Sequence, residues 1–242
     1  MNIDVIIKSH AKDYVKLPFV IESMKFVQEN IENIYLINQD GYNPLPEDQR
    51  ITVIHDSEVF PGCDRKRLKH RPNWCFMSLI GIFNDITKNE YYLDMQSDNI
   101  FLKPISFFDD GPVFYMSMQH SHYHKPYFEF SKRLYGFERL GPDSFIIDFM
   151  LYKKEFTREM LMGKDFNSFF DKVVEITDSE SFIGDYELYP NWCLKNHPDF
   201  YKIKNIETRI HGVYHPTNYK PRDIMNITNY NCTSISLHTW LK

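Results

Sequence analysis

The chain has 242 residues, of which 43% are hydrophobic and 25% are charged. These fractions are those of an ordinary globular domain, so they exclude a disordered chain or a coiled coil. Lys and Arg number 28 against 33 Asp and Glu, for a net charge of −5, so no overall basic field favours nucleic acid as a partner. Only 9 residues are Gly, which argues against a glycine-rich phosphate-binding loop.

The cysteines and the apolar runs bear on the compartment in which the protein works. The four cysteines, Cys63, Cys75, Cys193 and Cys232, form no C-x-x-C pair, which argues against a zinc ribbon and favours reduced thiols. No stretch of the sequence approaches the ~18 apolar residues that are needed to span a bilayer. We therefore expect a cytoplasmic protein without a transmembrane segment.

The first half of the chain alternates between strand and helix patterns. Short apolar runs predict strands at residues 2–7, 33–38, 51–55, 90–95 and 112–116. Apolar residues at helical spacing predict helices at residues 15–30 and 73–86. Strands that alternate with helices are typical of an α/β fold with a mainly parallel, doubly wound sheet, in which the strands at 90–95 and 112–116 are central.

The second half of the chain is less regular. Its patterns predict helices at residues 144–153, 155–175 and 184–196, and strands near residues 208–214 and 232–237. We find no internal repeat, linker or low-complexity segment. The sequence therefore predicts a single domain.

Acidic and polar residues follow the strand at residues 90–95. The segment YYLDMQSDNIFLKP runs from an apolar strand into Asp94, Gln96 and Asp98. In open α/β sheets, ligands bind beyond the carboxyl ends of the strands. Because hard divalent cations prefer oxygen ligands, carboxylates at such a strand end predict a metal site with positions left for substrate phosphates.

This segment resembles the acidic metal-binding motif of GT-A-fold glycosyltransferases, which is usually Asp-x-Asp after a hydrophobic strand. Two alignments are possible; in the preferred one Gln96, Ser97 and Asp98 occupy the motif, so an amide replaces its first acid. The resemblance implies Mn²⁺ or Mg²⁺ held by Asp98, with Gln96 and Asp94 assisting. It also implies a nucleotide-diphosphate sugar as donor, with a UDP-sugar expected.

Two further segments resemble a group of small bacterial and viral proteins classed as glycosyltransferases. Residues 181–192, SFIGDYELYPNW, resemble that group's Glu-Tyr-Glu-rich segment, in which an acid faces the acceptor, and residues 71–80 resemble its Gly-Trp-Tyr turn. In an inverting enzyme Asp185 or Glu187 would be the catalytic base, with Asp148 a third choice. Two residues along a helix turn about 200°, so only one of the pair can face a common cleft, and Asp185 is favoured.

The segment HPTNYKP, residues 215–221, is similar to the His…Lys-Pro signature of some GT-A transferases. The resemblance implies that His215 completes the metal shell and that Lys220 neutralises the diphosphate. His215 and Lys220 are one residue closer than in that pattern, and Arg222 replaces the usual Trp. His211 is therefore an alternative metal ligand.

Other donor contacts are predicted from position. The basic run at residues 65–71 ends at Arg71, before the helix that carries Trp74, and a guanidinium pairs well with phosphate. Residues after the first strand are placed to touch the base or ribose, and one after the second strand to bind a ribose hydroxyl. The predicted donor contacts are Lys8, Ser9, His10, Asp40, Arg71, Trp74, Ser97 and Lys220.

Together these patterns predict a metal-dependent hexosyl- or deoxyhexosyltransferase that acts on a glycan or glycoconjugate hydroxyl. The resemblance implies a GT-A-like catalytic domain over residues 1–242, with a nucleotide-sugar-binding half at 1–118 and an acceptor-binding half at 119–242. A nucleotidyltransferase is an alternative, although SHAKD lacks the glycines typical of its N-terminal loop. A non-catalytic glycan-binding module is a second alternative, given 16% aromatic residues.

Overall fold

The structure of the protein, a computed structural model, describes residues 1–117, 124–141, 143–177, 182–212 and 232–238, with the backbone alone at 209–212 and 238. The helices in these ranges are α1 (Leu17–Ser23), α2 (Asp56–Val59), α3 (Pro72–Phe83), α4 (Lys125–Tyr135), α5 (Lys154–Glu159), α6 (Phe166–Ile176) and α7 (Asp185–Asn196). The strands are β1 (Asn2–Lys8), β2 (Asn30–Asn38), β3 (Ile51–His55), β4 (Tyr91–Gln96), β5 (Asn99–Phe101), β6 (Val113–Ser117), β7 (Phe149–Lys153), β8 (Lys202–Ile206), β9 (Thr208–Gly212) and β10 (Ser234–His238).

The central sheet has five strands in the order β3-β2-β1-β4-β7. The first four strands are parallel, and β7 is antiparallel to β4. The apolar side chains of β1 are buried, as the run of Ile and Val predicts for a strand covered on both faces. The predicted α/β class with a mainly parallel sheet flanked by helices is therefore confirmed.

Two helices cover the sheet where β1 and β4 lie side by side. In α3 every residue from Cys75 to Phe83 is buried, and in α7 every residue from Asp185 to Cys193 is buried. A helix that is buried all round belongs in a protein interior rather than on a surface. Among the described residues, no helix combines the length and apolar character that crossing a membrane requires.

Smaller sheets join the two halves of the chain. β10 pairs with β5 and β9, and β8 pairs with β6. The prediction that residues 112–116 form a strand holds at Val113–Ser117, but this strand lies beside β8 and not in the central sheet. Because β7 also pairs with β4, strands from beyond residue 119 complete sheets that begin in the first half.

The helix predicted at residues 144–153 is wrong, because Phe149–Lys153 is the strand β7. All five of its residues are buried, and a short apolar run gives the same pattern in a buried strand as in a buried helix. The helix predicted at 155–175 is two helices, α5 and α6. Met162 and Gly163, which lie between α5 and α6, have φ angles of 56° and 73°. Backbone in this left-handed region ends a helix.

The helix predicted at residues 15–30 ends early, at Ser23, and a 3₁₀ turn follows at Met24–Phe26. Val27 then forms a β-bridge with Ile105, and the backbone N–H of Gln28 donates to the Ile105 carbonyl at 3.0 Å. Pairing with a distant segment has therefore overridden the helical spacing of this stretch. By contrast, the predictions at 51–55 and 184–196 agree with β3 and α7 to within one residue.

Candidate functional site

The strand order places a topological switch point between β1 and β4. The chain passes from β1 outward through β2 to β3, and then crosses back to β4 on the other side of β1. Ligands of open α/β sheets bind in the crevice outside the carboxyl ends of the strands at such a point. Lys8 and Gln96, the last residues of the two strands, are register partners there.

A buried ion cluster made of Lys8, Asp94 and Asp185 lies at this switch point. The Nζ atom of Lys8 is 2.8 Å from Oδ2 of Asp94 and 2.8 Å from Oδ2 of Asp185. All three side chains are at most 5% exposed. Asp94 comes from the middle of β4, whereas Asp185 is the first residue of α7, so the ammonium links the sheet to a helix.

Space for this ammonium is provided by a glycine of α3. A Cβ atom on Gly81 would lie 2.7 Å from Nζ of Lys8 and 3.0 Å from Oδ2 of Asp94. Carbon does not approach these atoms so closely, and an added methyl group in a packed interior forces its neighbours to move. Glycine at position 81 therefore permits the close approach of the helix to the ion cluster.

Burial and charge act against each other within the ion cluster. Burial raises the pKa of Asp94 to about 6, although the neighbouring Lys8 ammonium favours its ionised form. Burial also disfavours the charged form of Lys8, but the carboxylates of Asp185 and Asp94 outweigh it and raise the pKa of Lys8 above its ordinary value. Lys8 is therefore protonated at neutral pH, and its ammonium binds these two acids.

The two candidate bases of α7 face different surroundings. Asp185 contacts Lys8, whereas Oε1 of Glu187 accepts a hydrogen bond from the Ser144 hydroxyl at 2.6 Å. Oε2 of Glu187 also accepts a bond from the Asn191 amide at 3.3 Å, and burial raises the pKa of Glu187. The geometry thus puts Asp185 at the switch point and Glu187 in a buried hydrogen-bond network, as expected for residues two apart on a helix.

Asp148 lies close to the strand end but is held within the fold. Its carboxylate accepts a hydrogen bond from the hydroxyl of Ser236 on β10, and its carbonyl accepts one from the Gln96 N–H at 3.0 Å. Its φ angle is 65°, which a non-glycine residue adopts only when its surroundings impose it.

The turn after β4 brings Asp98 close to a lysine. Nζ of Lys16 lies 2.7 Å from Oδ1 of Asp13, 2.7 Å from the carbonyl oxygen of Leu237 and 3.7 Å from Oδ2 of Asp98. The Asp98 carbonyl accepts a hydrogen bond from the Leu237 N–H at 2.9 Å. This turn is therefore held by the C-terminal strand β10 and by a buried ammonium.

The residues predicted to hold a metal do not form a metal site together. Asp94 faces Lys8, the amide of Gln96 donates to the Tyr186 hydroxyl at 3.2 Å, and Asp98 lies near Lys16. In the part of the chain that the structure describes, no three His, Cys, Asp or Glu side chains are grouped as metal ligands. The remaining predicted ligands fall elsewhere: His215 lies outside the described residues, and at His211 only the backbone is described. Within the described residues, Asp94, Gln96 and Asp98 thus contact different partners and are not gathered around one cation position.

The residues predicted to touch the nucleoside differ in burial. Ser9 is buried and its backbone N–H donates to the Ile37 carbonyl at 2.9 Å, whereas His10 is half-buried. Asp40 is exposed beyond β2 and accepts hydrogen bonds from the Tyr14 hydroxyl and from the Tyr42 backbone N–H, the latter at 3.2 Å. The hydrogen bond from Tyr14 lowers the pKa of Asp40. A small surface of two tyrosines and one carboxylate therefore stands at this strand end. Ser97, after β4, is buried.

A stack of aromatic rings leads from the predicted phosphate residue to Asp185. The guanidinium of Arg71 lies 4.7 Å from the Trp74 ring centroid, and the Trp74 ring stacks on Tyr127 at 6.2 Å. The Tyr127 ring packs on Gly184, where an added Cβ would lie 2.5 Å away. Arg71 has a φ angle of 45°, so its backbone occupies the left-handed region before Pro72. Lys220, the other predicted phosphate contact, lies outside the described residues.

Sequence reasoning missed several residues of this region. Asp13 and Lys16 are three residues apart, a spacing that can predict an ion pair on one helical turn. Nothing in the sequence indicates that Gly81 lies beside Lys8 and Asp94 or that Tyr127 packs on Gly184, because these segments meet only through the tertiary fold.

A cavity of about 720 Å³ opens at the opposite, amino edge of the sheet. Lys88, Glu90, Lys154 and Arg158 are among its lining residues. Its charges are paired locally: Arg158 binds Asp85 at 2.8 Å, and Lys154 is 3.7 Å from the same carboxylate. The switch point, unlike this cavity, has the buried acids and the position that ligand chemistry requires, so we place the candidate site there.

Comparison with known proteins assigns no family: no protein-family model matches the chain, and no curated protein matches it. The function is therefore inferred from the residues and their arrangement.

Proposed function

We propose that the protein is a glycosyltransferase of GT-A type that moves a sugar from a nucleotide-diphosphate donor, a UDP-sugar, to a hydroxyl acceptor. The observation that supports this most is the place of Asp185. Its carboxylate sits in the first turn of α7, beside the carboxyl ends of β1 and β4 and in contact with Lys8. The resemblance of residues 91–104 and 181–192 to glycosyltransferase motifs supports the same assignment.

The proposed chemistry is an inverting displacement at the anomeric carbon. Asp185 accepts the proton of the acceptor hydroxyl while the acceptor oxygen bonds to that carbon. The bond from the anomeric carbon to the diphosphate oxygen breaks, and its electron pair leaves with the nucleoside diphosphate. Arg71, which is placed by its stacking on Trp74, would offset part of the charge that develops on the leaving group. No step depends on a metal.

The helix end also favours Asp185 in this role. The N-terminus of a helix carries partial positive charge, which interacts favourably with a carboxylate in the first turn. The exposed Tyr14, Asp40 and Tyr42 surface, at the end of β2, is the proposed place for the nucleoside, with Asp40 near a ribose hydroxyl.

Thermal shift with UDP, UDP-glucose, UDP-galactose and UDP-N-acetylglucosamine, each with EDTA or with Mn²⁺, tests the donor. We expect at least one UDP-sugar to raise the melting temperature and to release UDP when acceptor or water is present. Stabilisation by glycans without any nucleotide response would instead indicate a glycan-binding module.

Substitution at the two carboxylates of α7 tests the base. Asp185→Asn should lower turnover by at least ~10²-fold, the lower end for loss of a general base, while UDP-sugar binding is kept. Glu187→Gln is the matched control on the same helix and should leave most of the turnover. Near-normal turnover in Asp185→Asn, or a larger loss in Glu187→Gln, contradicts the assignment.

A further inference from the structure

The link between Lys8 and Asp185 has a geometry that goes beyond holding a helix to a sheet. The ammonium of Lys8 lies 2.8 Å from the carboxylate of Asp94 on β4, and it donates a hydrogen bond to Oδ2 of Asp185 at 2.8 Å. Lys8 itself is only 4% exposed. One oxygen of the Asp185 carboxylate is thereby tied to the central sheet.

We propose that Lys8 is a positioning residue that sets the orientation of the Asp185 carboxylate toward the acceptor. This inference rests on the proposed function, in which Asp185 is the base. With Oδ2 held by the ammonium, the plane of the carboxylate is fixed, and Oδ1 is the oxygen that takes the acceptor proton. A base held to within about 0.5 Å of its working position keeps most of its effect, whereas a misplaced one does not.

The ion cluster is not needed to anchor α7. The Tyr189 hydroxyl accepts a hydrogen bond from the Lys153 N–H at 2.9 Å, and the Asn191 carboxamide oxygen accepts bonds from the N–H groups of Leu140 at 2.6 Å and Gly141 at 2.9 Å. These contacts hold the middle of the helix. The ammonium acts instead on its first residue, where only the direction of one side chain remains to be set.

The second carboxylate explains why the ammonium itself stays in place. A lysine has a flexible stem, and a single partner would allow it to swing. Asp94 on the rigid β4 and the close backbone of Gly81 leave the ammonium one position. Asp94 thus acts through Lys8, and its conversion to Asn leaves the Lys8–Asp185 pair intact.

Three variants separate positioning from simple structural support. The double variant Lys8→Met/Asp94→Asn keeps the formal charge of the cluster at −1 but removes the ammonium. Lys8→Arg keeps the cation but changes its shape beside Gly81. Asp94→Asn alone removes one carboxylate and keeps the ammonium. Lys25→Met, at an exposed ion pair with Glu22, is the control.

UDP release is measured with the UDP-sugar that gives the largest thermal shift. We expect kcat to fall at least ~10-fold in the double variant and in Lys8→Arg, with the donor KM within about twofold of the parent, because only the base is displaced. Asp94→Asn should lower kcat less than the double variant does, because the amide oxygen of Asn can still accept a hydrogen bond from Lys8, and Lys25→Met should leave kcat unchanged.

The outcomes distinguish the two proposals. Normal kcat in a folded double variant or in Lys8→Arg overturns the positioning role and leaves the glycosyltransferase assignment standing, and so does a rise in KM with kcat unchanged. A loss in Asp94→Asn as large as in Asp185→Asn also overturns it, because Asp94 would then act directly. If the parent neither binds nor turns over any UDP-sugar, the proposed function fails and the role of Lys8 fails with it.

Discussion

Two buried aspartates on neighbouring strands of the central sheet are stabilised in opposite ways. Asp4 of β1 accepts hydrogen bonds on Oδ2 from the backbone N–H groups of Lys88 at 2.5 Å and Asn89 at 2.9 Å, and on Oδ1 from the Asn33 and Asn89 amides. Asp94 of β4 has the Lys8 ammonium 2.8 Å from Oδ2. Both residues are fully buried.

The different surroundings of Asp4 and Asp94 distinguish the two edges of the sheet. The amino edge has a structural role, and the carboxyl edge carries the candidate site. Asp4 is saturated by neutral donors from Asn33 of β2 and from the turn before β4, and its carboxylate fixes that turn. Asp94 depends on a single cation that it shares with Asp185. Because Asp94 and Asp185 share one ammonium, a change of charge at any of the three residues affects the other two. Such coupling is typical of functional sites.

The largest expected effect comes from removing the shared cation. Lys8→Met leaves two carboxylates facing each other without a counter-ion, and breaking a buried ion pair in this way costs about 3–5 kcal/mol of unfolding free energy. Urea denaturation measures it. Lys25→Met should change stability by less than about 1 kcal/mol, and adding Asp94→Asn to Lys8→Met should recover part of the loss. Equal stability of the two lysine variants would contradict the buried cluster.

The stability of the fold should depend on pH through Asp94. The pKa of Asp94 in the fold is about 6, above its ordinary 3.8, so the folded state binds the proton more tightly than the unfolded chain. Its stabilising contribution is full below about pH 4 and is lost as the pH rises to about 6, up to about 3 kcal/mol. Unfolding of the parent and of Asp94→Asn from pH 4 to 7 should show the variant gaining relative to the parent over this window. A difference that does not change with pH would contradict the raised pKa.

Asp4→Asn, the same isosteric change at the amino edge of the sheet, should bring no such gain in stability. Asp4→Asn replaces one accepting oxygen by an NH₂ group, so either two backbone donors or two amide donors lose their acceptor. We expect a loss of about 2 kcal/mol, the sum of two modest hydrogen bonds, measured by urea denaturation at pH 7 beside Asp94→Asn. If Asp4→Asn is the milder of the two at that pH, the contrast between the edges is wrong.

Much of the fold follows from local patterns. The apolar runs of β1 and β4 are visible in the sequence because each strand buries a largely apolar stretch. β7 was not distinguishable from a helix, since all of its residues face the interior. The early end of α1 depends on the pairing of Val27 with Ile105, which no local pattern can indicate.

The place of the acidic residue Asp185 in the candidate site could be predicted from the sequence, whereas the partners of the Lys8 ammonium could not. Asp185 in the first turn of a helix follows from Gly184 and the pattern after it. The role of Lys8 does not, because the residue that it binds is 177 positions away. A lysine at a strand end suggests a ligand contact, and only the fold shows that two aspartates already occupy its ammonium. The predictions for Asp98 and metal binding remain predictions.

The contact between Lys16 and Leu237 bears on the order in which the carboxyl edge of the central sheet forms. The ammonium of Lys16 reaches the Leu237 carbonyl across 221 positions of sequence, and β10 also pairs with β5. Contacts so distant in sequence form slowly. As the chain leaves the ribosome, β1 to β4 can assemble long before residue 237 is made, and until then the turn after β4 lacks its neighbour. The turn after β4 therefore gains its final contacts only when β10 joins β5.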